Sequence, residues 1–101
     1  MSLPLTPEAY QPLLNTPFAL HLDGGAIRTL QLVTVRSGID DEVQLSFSLH
    51  FLAEGEKLEQ GIYRLNHAAL GEIDLFLVPV QKRKIGILYE AVFNLLRDET
   101  P

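Results

Sequence analysis

From Phe18 onward, apolar and polar residues alternate, and turns rich in glycine or charge interrupt the alternation. A period of two predicts strands. Phe18, Leu20 and Leu22 alternate with Ala19, His21 and Asp23 before Asp23-Gly24-Gly25 turns the chain. Residues 26–36 resume as a strand whose phase breaks, because Leu30 and Leu32 share a face that Val33 and Val35 do not. Either a β-bulge resets the phase near Leu32 or both faces are covered. Residues 37–42 read as an acidic loop. The clearest strand sets Val43, Leu45, Phe47, Leu49 and Phe51 against Gln44, Ser46, Ser48 and His50. A slip of one residue there would turn its whole apolar set to the wrong face. After a turn at 53–57, residues 58–67 put Tyr63, Leu65 and His67 in one phase and Ile62, Arg64 and Asn66 in the other. Residues 68–71 lead into a final hairpin, 71–80 and 85–94, joined by Gln81-Lys82-Arg83-Lys84. Each of its strands starts with one dry face and becomes apolar on both.

The first residues depart from this period. Thr6-Pro7-Glu8 has the capping threonine, early proline and early acid of a helix start. The helix is expected to run to Leu14, with Asn15 near its stop and Pro17 beyond it. Tyr10, Leu13 and Leu14 would then share one side. Short connections favour sequential antiparallel pairing. The expected fold is therefore mainly β: a six-stranded antiparallel barrel or a rolled β-sandwich with one short N-terminal helix, plugging an end or covering a face. Residues 1–101 form a single small β domain, and 97–101 read as a frayed end.

Composition narrows the function. Apolar residues are 47% and charged residues 21% of 101, an ordinary globular balance. The net charge of −5 argues against nucleic acid or anionic lipid as partners. Cysteine is absent, which removes disulfides, thiolate metal sites and cysteine nucleophiles. The opening residues lack a signal peptide's basic and apolar regions, and no apolar run reaches the ~18 residues of a membrane span. A cytoplasmic location, without membrane, is expected.

No constellation argues for catalysis, and neither cofactor nor metal is expected. His21 and His50 fall on polar phases, and no zinc spacing occurs. Ser46 and Ser48 sit in mid-strand without a nucleophile elbow. Asp40, Asp41 and Glu42 lack the spacing of a calcium loop. Asp74 and Glu90 could face each other across the hairpin, as a structural pair. His67 shares the phase of Tyr63 and Leu65, and its expected role is to hydrogen-bond a turn backbone at the rim of the core.

Residues 60–67 (Gln-Gly-Ile-Tyr-Arg-Leu-Asn-His), 70–80 and 89–94, with the opening Leu5-Thr6-Pro7-Glu8-Ala9-Tyr10 and Phe18, resemble a family of short bacterial proteins of unknown function. Ala68 departs from the pattern, where a proline is expected after the histidine. The resemblance implies no activity. It implies gene neighbourhoods encoding phage-tail-collar-like proteins, and hence an assembly or accessory role.

Two functions follow as expectations. The first is a non-catalytic interaction module. Phe76, Val78, Val80, Leu88 and Val92 form a surplus apolar face on the last hairpin, since Ile73, Leu75, Leu77, Ile87, Tyr89, Ala91 and Phe93 suffice for the core. Its cover would be the N-terminal helix, a homodimer or a protein partner. The second is a small-ligand-binding barrel or minor enzyme with a site at Tyr63, His67 and Tyr89.

Overall fold

In the computed structural model, which describes residues 4–96, the alternating segments become six strands. They are β1 (Pro17–His21), β2 (Ile27–Asp40), β3 (Gln44–Ala53), β4 (Gly61–His67), β5 (Gly71–Arg83) and β6 (Gly86–Leu96). All pairings are antiparallel, and the sheet closes in a ring of order β1-β2-β3-β6-β5-β4. The alternating phases converge inside it. Leu20, Leu30, Leu32, Leu49, Phe51 and Leu65 are fully buried. Residues 97–101, read above as a frayed end, lie outside the described residues.

Pairing is not sequential throughout. β1-β2-β3 and β4-β5-β6 are two meanders, but β3 pairs with β6 and β1 with β4. β3 and β4 therefore stand across the ring from each other, and residues 54–60 must span its end. Leu58 of that loop packs against the core.

The phase break in β2 is a bulge. The register with β3 shifts between Leu32 and Thr34, so Leu32 meets Phe51 and Val35 meets Leu49 on the same inner face. The acidic loop expected at 37–42 is shorter than predicted, since β2 continues to Asp40 through a second irregularity. Its support is a side chain: the Ser46 hydroxyl accepts the Ile39 N–H at 2.8 Å. Gly38 fits there because an added Cβ would lie 2.5 Å from that same hydroxyl oxygen. The turn that remains is held by Asp41, whose Oδ1 accepts the N–H groups of Val43 and Gln44. Val43, placed at the start of the dry face, is instead exposed in this turn.

The last hairpin turns later than its charges suggested. Arg83 pairs with Gly86, which leaves Lys84 and Ile85 as the turn, and a bulge at Val80 shifts the register between Pro79 and Gln81. Gly86 has φ of 158°, and a Cβ on it would fall 2.2 Å from the Ala53 carbonyl oxygen. Only glycine lets the hairpin approach β3 so closely.

The expected N-terminal helix is two 3-10 turns, Pro7–Ala9 and Gln11–Leu13. Pro12 is the reason, because its ring would collide with the carbonyl four residues back and it has no N–H to give. Thr6 makes no side-chain cap, and Asn15 ends the segment with φ of 66°. The segment goes inward. Tyr10 is fully buried, its ring 6.0 Å from those of both Phe47 and Phe93, which stack on each other at 4.4 Å. It thus closes the end of the ring opposite residues 54–60 and is spent there rather than on the outside of the hairpin.

Candidate functional site

The outer phases of β4, β5 and β6 carry the apolar surplus. Phe76 is 52% exposed, Val80 46% and Val92 57%, while Val78 is half-buried. Leu88, the fifth residue expected on this face, is buried between its register partners Leu52 and Gln81 and is unavailable to a partner. Ile62, not singled out from the sequence, is 74% exposed and pairs directly with Phe76 across β4 and β5. Directly opposed residues have Cβ atoms about 5 Å apart, so the two side chains make one surface. The signal for Ile62 was its place opposite in phase to Tyr63 and Leu65, but its neighbour became visible only with the register.

Val92 stands apart. β5 and β6 pair only from Val78 opposite Glu90 to the turn, so Val92 faces Ser48 of β3 rather than Phe76. Between them His50 Nε2 lies 2.9 Å from Glu90 Oε2, with both side chains largely covered. His50, expected to be exposed, is therefore engaged on the outer face. Asp74 and Glu90 do not oppose each other either. Asp74 meets Arg64 at 3.1 Å, and that guanidinium holds its carboxyl below the usual range.

Tyr63, His67 and Tyr89 are not brought together as a ligand site. Tyr63 and His67 are four residues apart along β4, about 13 Å, and serve opposite ends. The Tyr89 hydroxyl accepts the Leu58 N–H at 2.8 Å, and the Tyr63 hydroxyl donates to the Glu59 carbonyl at 2.5 Å. Both therefore tether residues 54–60. Burial raises the Tyr63 pKa, with the Tyr89 and Glu59 charges adding to it.

His67 holds the other end. Its Nδ1 accepts the Ala69 N–H at 2.9 Å, which places the proton on Nε2, 2.9 Å from the Thr16 hydroxyl. That hydroxyl donates on to the Leu13 carbonyl. One neutral imidazole thereby ties the β4–β5 turn to the N-terminal segment, and its ring packs 4.5 Å from that of Phe18. Burial lowers its pKa. Tyr10, whose hydroxyl donates to the Pro4 carbonyl, is pushed up to about 12 by the same effect.

Among the described residues, no group of three or more acidic or histidine side chains could hold a metal ion, and no helix is long and apolar enough to cross a membrane. What the arrangement offers is a surface. No curated protein and no solved structure matches the chain. Residues 5–93 match the family model DUF6916, a domain of unknown function, and the chain belongs to that family.

Proposed function

We propose that the chain is a non-catalytic interaction or assembly accessory module that docks a protein partner on the outside of β4 and β5. The observation that supports it is the pair Ile62 and Phe76, side by side and more than half exposed, with Val78 and Val80 continuing along β5. Scattered exposed aliphatics are normal on a protein surface, whereas a contiguous run marks an interface. Covering Phe76 alone would gain roughly 1.5–3 kcal/mol. The intramolecular cover is otherwise engaged, because Tyr10 and Leu13 are buried in the ring's end. In form, the plugged ring is read as a barrel rather than a rolled sandwich, since its register runs around all six strands. Bacterial phage-tail-collar-like proteins in the cytoplasm are the first partners to test.

The test is sedimentation velocity and affinity capture with such proteins, comparing the wild type with Phe76→Asp and Ile62→Asp. Loss of the complex, with the thermal melt retained, is expected. An unchanged sedimenting mass together with unchanged capture would refute the surface.

A further inference from the structure

A groove of about 480 Å3 opens where residues 54–60 meet the bulged part of β5. Pro79, Val80 and Ile87 give it apolar walls, and Lys57 and Lys82 also line it. Neither lysine makes an ion pair among the described residues. Glu56 lines the groove as well, its backbone carbonyl accepting from Arg28 at 2.8 Å. Arg83 and Lys84, both exposed, continue the positive charge toward the hairpin turn.

The other end of the molecule carries the complement. The β2–β3 turn reads Ile39-Asp40-Asp41-Glu42-Val43, three acids between two aliphatics that are 48% and 63% exposed. Asp41 has already fixed this turn through its bonds to the Val43 and Gln44 N–H groups, so little ordering is needed before it meets a partner.

We propose that the groove receives the β2–β3 turn of a second copy of the chain, with Ile39 or Val43 on the apolar walls and the acids against Lys57 and Lys82. Successive strands alternate in direction, so groove and turn lie at opposite ends of a molecule 47 Å long. A chain cannot fill its own groove. The contact is head-to-tail, and copies add in an open series unless the rotation closes a ring. The net charge of −5 opposes the approach of two copies. At physiological salt that repulsion is screened over about 8 Å, whereas pairs in contact are screened less. A volume of this size also falls within the roughly 300–1,000 Å3 of sites that enclose a small ligand. The inference deepens the interaction reading and rests on it, since Val80 belongs to both surfaces.

Sedimentation equilibrium on the full chain over a wide concentration range tests it. The wild type is expected to gain mass with concentration. Lys57→Glu with Lys82→Glu, and separately Asp40→Lys with Glu42→Lys, should each weaken association by about tenfold or more, because attraction becomes repulsion. Asp41 is left in place because it holds the turn. Mixing the two reversed chains should restore association, each offering the charge the other needs. If a reversal unfolds the chain, Lys57→Gln with Lys82→Gln replaces it and should weaken association less. A wild type that stays monomeric throughout overturns the inference, as do reversals without effect or a mixture without recovery. A monomeric wild type that binds a synthetic Ile-Asp-Asp-Glu-Val peptide overturns the second copy as the occupant. Association lost in Phe76→Asp but indifferent to the lysine reversals leaves the outer-face reading standing and removes this one.

Discussion

The two ends of the ring are closed by different means. At one end the plug is an apolar body: Tyr10 packs against the stacked rings of Phe47 and Phe93 and is fully buried. At the other the plug is a loop whose backbone is tied by the hydroxyls of Tyr89 and Tyr63, with Leu58 as its apolar anchor. The first end rests on buried area and shape, the second on a few directed bonds. A removed ring leaves a cavity, whereas a removed hydroxyl leaves one unpaired group, and the two losses differ in size. The first end also carries an imidazole clamp, His67, whereas the second is tied by tyrosine hydroxyls.

The largest expected effect is at the apolar plug. Tyr10→Ala should cost about 3–5 kcal/mol in urea unfolding, as large aromatic truncations in cores do. A loss below 1 kcal/mol would mean that the N-terminal segment is not integral to the core. Next comes Gly86→Ala beside the looped end, where the new Cβ would meet the Ala53 carbonyl oxygen. A loss of about 3 kcal/mol is expected, and a wild-type melting temperature would show that the hairpin can stand off from β3. Tyr89→Phe should cost only about 1–2 kcal/mol, the penalty of a stranded N–H. Amide exchange should accelerate at Leu58 and leave Tyr10 unaffected; equal acceleration at both would erase the distinction between the ends.

The smallest effect separates the ends by pH. Because burial lowers the His67 pKa from its ordinary 6.5, the unfolded chain takes up the proton first. Stability from this group is whole above about pH 6.5 and falls as pH drops toward the lowered folded value. Protonation also costs the Ala69 N–H its acceptor at Nδ1. His67→Gln should be less stable than wild type near pH 7 by about 1 kcal/mol, and the gap should narrow toward pH 5. A constant gap would show that the imidazole does not titrate as the clamp requires. Loss through Asp74, whose carboxyl Arg64 holds below its ordinary 3.8, belongs to still lower pH.

Much of this was legible beforehand. The inward set of the last hairpin and of residues 45–51 followed from alternation, because a strand's two faces are fixed by its period. The phase break at Leu32 left open a bulge or a strand covered on both faces, and the register with β3 decides for the bulge. The short N-terminal helix is there, but as two 3-10 turns, because the ring of Pro12 forbids a continuing α-helix. Legibility of the surface was partial. Phe76, Val80 and Val92 lie on the outer phase read for them and are exposed, without the cover the N-terminal helix was to supply, but Leu88 is closed by Leu52 and Gln81.

The sequence by itself determined the dominant inward phase of each strand, the order of strands and turns, and that no cysteine or metal-binding spacing is present. These depend on spacing of a few residues and on side-chain type. Only the tertiary structure decided that β3 pairs with β6 and β1 with β4, that residues 54–60 cross the ring's end, and that the N-terminal segment is used inside it. Those are contacts between residues far apart in the chain, set by how apolar surfaces share the interior. They in turn leave Ile62 beside Phe76 on the outside with no cover from the N-terminal turns.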